Sequence, residues 1–255
     1  MNFFFNILSE ELSSCLTIPR FKNDSELAKD YLPFKAKIFN GFWNITKTNF
    51  IDDGMFFHID KEECDNDNII FLAKENDINS KRIENLINYN SYTDTIPDYR
   101  SNLRVENYKG GFSSYQSEYP FDMVQKKGQI LSPVYPLLNK DANENYIFLK
   151  NIYKQPIQTQ FKVYFVDIKK NIVVEEIGCI TNKTNKITIS NKLIDPNIYL
   201  ITDSFLGIPI FCSILNGFMS LEHTHPPHLY ILSKDRFKII KNLKGKIFDI
   251  TNKKN

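Results

Sequence analysis

The stretch PIFCSILNGFMSLEHTH, residues 209–225, decides how the rest of the chain is read. Asn216-Gly217 lies between two apolar runs and predicts a two-residue type I′ hairpin, because that turn needs positive φ at both central residues and Asn and Gly adopt it at least cost. The turn sets a register. Leu215 faces Phe218, Ile214 faces Met219, Cys212 faces Leu221, Ile210 faces His223 and Ile208 faces His225. Opposed residues share a face. One face therefore reads Ile214, Met219, Cys212, Leu221 and Ile210, with His223 and His225 at its far end, while Ser213, Ser220, Phe211 and Glu222 lie on the other.

Upstream, YIFLKN from Tyr146, QFKVYFVDI, IVVEEI, KITIS and IYLITD repeat the same rhythm, separated by polar turns such as DIKKN and TNKTN. With the two strands of the hairpin they make seven, which predicts an immunoglobulin-like β-sandwich. Downstream the period changes. Ser233 is placed to cap a helix with Phe237, Ile240, Leu243 and Ile247 on one stripe and Gly245 near its C-terminus, packed on the sandwich or the region before it. Before about residue 140 the pattern is irregular, with strand-like runs at Lys35–Phe39, Met55–Ile59 and Ile69–Ala73. There Ser80 is expected to cap a short helix carrying Ile83, Leu86 and Ile87. The expectation is a mostly β protein in two domains: an irregular β-rich (α+β) region over 1–140, and the sandwich with its terminal helix over 141–255.

Composition removes several functions. The 32 basic and 30 acidic residues leave a net charge of +2, which gives no electrostatic ground for binding nucleic acid or an anionic membrane. Aromatics make up 14% and there are only 9 glycines, a balance that favours sheets over phosphate-cradling loops; no Walker, Rossmann or nucleophile-elbow motif occurs. No apolar run reaches the length of a membrane span. Cys15, Cys64, Cys179 and Cys212 form no C-x-x-C pair and read as buried thiols. The first residues lack a positive n-region, so a soluble cytoplasmic protein is expected, with export through an upstream signal left open.

Two clusters could carry chemistry. Three of the four histidines fall in LEHTHPPHLY, residues 221–230. Imidazoles at i and i+2 of a strand present two nitrogens to one point, and Pro226-Pro227 can swing His228 back toward it. His223, His225 and His228 would then hold a divalent transition metal for a hydrolase or oxygenase. Gly217 followed after five residues by His223-x-His225 resembles the first half of the cupin signature, a metal-holding β-barrel family. The glutamate and the second motif expected after it are absent, so the chain is not assigned there. The competing reading makes these histidines hydrogen-bonded groups shaping a proline turn.

The second cluster is DYRSNLRVENYKGGFSSYQSEYP, residues 98–120. Alternation around the Gly110-Gly111 turn puts Arg100 and Arg104 on one face of a strand, and Ser114, Gln116 and Glu118 along one face of the next. Hydroxyl, amide, carboxylate and guanidinium groups in a row suit a polar, carbohydrate-like ligand; the alternative is an exposed face with Arg–Glu pairs. His58 in MFFHID reads as a buried neutral histidine. The leading function is a non-catalytic recognition or assembly protein that binds a polar small molecule or glycan through Arg100, Arg104, Ser114, Gln116 and Glu118. The alternative is the metal-dependent enzyme, and self-association into a homo-oligomer is left open.

Overall fold

The hairpin forms in the register its turn dictates. Leu215 pairs with Phe218, Ile214 with Met219, Cys212 with Leu221 and Ile210 with His223, and Asn216 and Gly217 have φ of 52° and 88°. The computed structural model describes residues 2–23, 26–27, 30–78, 80–86, 101–125, 127–223 and 236–252; His225, His228, Arg100 and Ser233 lie outside them.

In chain order the strands are β1 (Asn2–Phe4), β2 (Leu12–Pro19), β3 (Phe21–Asn23), β4 (Glu26–Leu27), β5 (Tyr31–Phe39), β6 (Phe42–Lys47) and β7 (Ile51–Asp52). They continue as β8 (Phe56–Ile59), β9 (Asn68–Lys74), β10 (Arg82–Ile83), β11 (Asn102–Asn107), β12 (Phe112–Tyr115), β13 (Glu118–Pro120) and β14 (Leu131–Pro133). The last are β15 (Glu144–Lys150), β16 (Gln160–Asp167), β17 (Ile172–Ile180), β18 (Thr184–Thr188), β19 (Ile198–Thr202), β20 (Ile208–Leu215) and β21 (Phe218–His223). A single turn, α1 (Phe121–Val124), and the long α2 (Arg236–Asn252) are the α-helices among the described residues.

The strands form four small sheets and the β3–β4 ribbon. Sheet I runs β10-β6-β5-β9-β1-β13, sheet II β12-β11-β2-β8-β7, sheet III β14-β19-β16-β17 and sheet IV β18-β15-β20-β21. They are set against one another as four blades in a propeller-like arrangement. The immunoglobulin-like sandwich is therefore corrected. That fold puts its first, second, fifth and fourth strands in one sheet and its third, sixth and seventh in the other. Here the first, fourth, sixth and seventh of the expected strands (β15, β18, β20, β21) share sheet IV, and the rest join β14 in sheet III.

Burial gives the physical reason. A sandwich sheet buries one face, whereas sheet IV buries both. Tyr146, Phe148, Ile210, Cys212, Ile214 and Leu221 enter a large core with Phe3, Phe4, Leu16, Trp43, Phe57, Phe71 and Val105 of sheets I and II. Ile147, Leu149, Ile187 and Phe211 point the other way, into a second core with Val163, Phe165 and Leu200 of sheet III. The largest core thus draws on residues from both sides of position 140.

The N-terminal half is likewise more regular than expected. It builds two full sheets, and at the start of the helix predicted after Ser80 the chain forms β10, whose Ile83 pairs with Trp43 and Arg82 with Asn44, while Ile87 lies outside the described residues. Ser80 Oγ donates to the Arg82 carbonyl at 2.7 Å and accepts from the Arg82 N–H at 3.1 Å, a local turn that competes with a helix cap.

On the outer face of sheet III, Ile247 and Ile250 of α2 pack with Tyr164, Val166 and Ile201. Gly245 lies in the middle of this helix and not near its end. Glycine there costs about 1 kcal/mol relative to alanine, while burying each isoleucine stabilises by about 1.5–3 kcal/mol. Packing wins, and the helix runs on to Asn252. No helix among the described residues is long and apolar enough to cross a membrane.

Candidate functional site: the outer face of sheet II

Sheet II alternates cleanly. Leu16, Ile18, Phe57, Ile59, Leu103 and Val105 point into the large core, so their neighbours along each strand must face outward. The register arranges those neighbours in rows. Arg104 stands opposite Ser114 on one side and Cys15 on the other. Glu106 stands between Phe112 and Ser13, and Asn102, Thr17, His58 and Ile51 continue in line across β11, β2, β8 and β7.

The short turn Lys61–Glu63 after β8 walls one end of this face. Ser13, Ser14, Cys15, Asp60, Lys61, Glu62 and Glu106 enclose a cleft of about 360 Å³. Three acidic residues and one lysine are among its lining. Beside it the Arg104 Nε donates to Glu106 Oε1 at 2.9 Å, and the guanidinium lies 4.0 Å from the Phe112 ring centroid.

Cys15 lines the cleft as a thiol and not a thiolate. Burial pushes its pKa up and Glu106 adds to that, with Arg104 opposing; an activated nucleophile would need the reverse. Its role is that of a small polarizable wall.

His58 departs from its expected burial. Its side chain is 39% exposed, because Phe57 and Ile59 take the core side of β8 and leave Phe56 and His58 outside. Nδ1 lies 3.3 Å from Thr17 Oγ1 and Nε2 lies 2.8 Å from Asp53 Oδ2. Asp53 also accepts from the Met55 and Phe56 N–H groups at 2.9 and 2.6 Å. Its pKa is held down to about 2, first by the hydrogen bond to His58 and then by these backbone donors.

The predicted ligand row divides. Arg104 and Ser114 sit together on the exposed face, as an opposed pair. Gln116 follows the end of β12, and Glu118 belongs to β13, which has left sheet II to pair with β1. The Glu118 carboxylate accepts from the Ser101 N–H at 2.8 Å. Arg100 lies outside the described residues.

Of the three histidines in the metal reading, only His223 lies among the described residues. Among the described residues no group of three or more His, Cys, Asp or Glu could hold a metal ion. His223 ends β21 opposite Ile210 as its register predicts, but its Nδ1 lies 2.6 Å from the Tyr115 hydroxyl. Cys212, on the same face, is fully buried, and burial pushes its thiol up to about 12. His225 and His228 lie outside the described residues.

Ser13, Cys15, Thr17, His58, Asp60 and Glu106 complete the polar face, and none was singled out as a ligand group from sequence. The signal existed in LSSCLTIP, where Ser13, Cys15 and Thr17 alternate with Ser14, Leu16 and Ile18. It becomes legible only once that stretch is known to be a strand.

No protein family, curated protein or solved structure matches this chain, so what bears on function is the geometry of this face.

Proposed function

We propose that this protein is a recognition protein that holds a polar, sugar-like ligand against the outer face of sheet II. The observation that carries the reading is the cleft of about 360 Å³ whose lining includes Ser13, Asp60, Lys61, Glu62 and Glu106. Its size falls within the range of small-ligand sites. Carboxylates accept two hydrogen bonds from neighbouring hydroxyls, serines accept or donate, and lysine donates, which together suit a polyhydroxylated molecule. Arg104 and Ser114 extend the same face and would contact whatever projects from the cleft.

The test is a glycan array followed by thermal-shift titration of the hits, with wild-type protein and Glu106→Gln. A saturable hit that raises Tm in the wild type and binds at least tenfold more weakly to the variant is the expected outcome, since an ionic acceptor becomes a weaker neutral one. Equal binding by both proteins, or no glycan bound, would reject the reading.

A further inference from the structure

Lys150 ends β15 on the face that looks toward the N-terminal sheets, and its side chain is fully buried. Nζ donates to the Asn66 carbonyl at 3.0 Å and to the Asn68 carbonyl at 3.3 Å, where the chain turns into β9 of sheet I. The surrounding groups join the same two sheets. Thr184, opposite Lys150 in β18, gives its N–H to the Asn66 carbonyl at 3.0 Å and its hydroxyl to the Asn6 carbonyl at 3.0 Å. Asn6 Nδ2 donates to Asn68 Oδ1 at 2.7 Å. The seam between sheets I and IV is thus a small polar network with one ammonium inside it.

That ammonium has no carboxylate within ion-pair distance among the described residues. The charged groups that face it are Asp65 and Asp67 from the turn before β9 and Lys183 from the turn between β17 and β18. All three are committed elsewhere. Asp65 pairs with Lys37 at 2.5 Å, and Lys183 lies 3.3 Å from Asp67 Oδ1, as a contact of charges without a hydrogen bond. Two carbonyls compensate a buried positive charge poorly, yet serve a neutral amine, which can still donate to both.

We infer that Lys150 is a proton-operated latch: the seam between sheets I and IV holds firmly while Lys150 is a neutral amine and loosens when it takes up a proton. Burial pushes its pKa down to about 7 and Lys183 adds to this, while Asp67 and Asp65 oppose it. Once the seam opens and water reaches Nζ, the pKa returns toward its ordinary 10.5. Between these values the open form binds a proton that the closed form lacks, so closure strengthens as pH rises, by up to about tenfold per pH unit. Below about 7 both forms are charged and the dependence is flat. A groove of about 530 Å³ shares Asn66, Lys183 and Thr184 with the seam, so loosening acts on its walls first.

The measurement is amide hydrogen exchange at Thr184 between pH 6 and 10, corrected for intrinsic rates, in the wild type and in Lys150→Met. Wild-type protection that climbs about tenfold per unit above pH 7, with a flat profile in the variant, is the expected result. Parallel profiles in the two proteins would overturn the latch. If Lys150→Met does not fold, NMR titration of the wild-type Lys150 Cε decides: a midpoint near 7 supports it and one near 10.5 removes it.

Discussion

The Tyr115 hydroxyl lies 2.6 Å from Nδ1 of His223, joining the last residue of β12 to the last residue of β21 and so the edge of sheet II to the edge of sheet IV. The rings meet edge-on, 4.4 Å between centroids. Hydrogen bond and ring contact both depend on this one pair, so the two side chains should be energetically coupled. A double-mutant cycle of Tyr115→Phe and His223→Gln, followed by urea unfolding, should give a coupling of about 1 kcal/mol. A value within error of zero would mean that the two edges hold together without it.

Behind that pair two hairpin tips touch through glycines. A Cβ on Gly111 would lie 2.3 Å from the Gly217 carbonyl oxygen, and Gly111 already has a φ of 83°. Gly111→Ala should therefore destabilise by about 2 kcal/mol or more, from strain and clash together. Gly178→Ala, where a Cβ meets nothing within 4 Å, should be neutral or slightly stabilising. Thermal unfolding of both variants distinguishes them, and equal shifts would contradict the contact.

Arg104 offers a way to separate recognition from stability. Its partners, Glu106 and the Phe112 ring, are both exposed on the sheet II face. Arg104→Ala should change unfolding free energy by less than about 1 kcal/mol, because exposed ion pairs and cation–π contacts contribute little in water. If the face binds its ligand as proposed, the same variant should lose affinity severalfold with its fold intact; a large drop in stability would show that the arginine is structural.

Asp53 makes a prediction about pH. Its depressed pKa, about 2, depends first on His58. In His58→Ala an NMR titration of the Asp53 carboxyl should move up toward its ordinary 3.8 but stop short, because the Met55 and Phe56 N–H groups remain. Since the folded value is the lower one, the stabilising effect is present above the unfolded value and is lost as pH falls toward 2. An unchanged titration in the variant would assign the shift to the backbone alone.

The cover that α2 gives sheet III can be tested at Ile247, which is fully buried. Ile247→Ala should cost about 2–5 kcal/mol, whereas Phe248→Ala, one residue on and 48% exposed, should cost well under half of that. Chemical denaturation of the two variants gives the comparison, and similar losses would mean that the helix is not seated on this stripe.

What the sequence made legible was local. Asn216-Gly217 needs only its own backbone preference and the alternation beside it, so the hairpin register and the place of His223 opposite Ile210 could be read directly. Which strands share a sheet could not. β15 pairs with both β18 and β20, yet nothing in the alternation of Tyr146, Phe148 and Lys150 names those partners, since period-two patterning marks a face and not the strand beside it. Ser80 failed for the same reason. Its cap-like spacing to Ile83 and Leu86 is real, and pairing of Ile83 with Trp43 overrode it. The polar face was half legible: Arg104 and Ser114 stand beside a glycine turn that announces a hairpin, whereas Ser13, Cys15 and His58 reach the same surface only through pairings with distant segments.

Sheet IV, buried on both faces, also shapes how this chain must be made. Phe3 and Leu221 lie in one core although they stand near opposite ends of the sequence. A ribosome releases sheets I and II long before β20 and β21 exist, so Phe57, Phe71 and Val105 emerge without the wall that later covers them. Nascent chains in that state expose apolar surface and unpaired strand edges, and their long-range pairings close slowly. Synthesis of this protein therefore passes through an interval in which the apolar surface of the first half stands without its final cover.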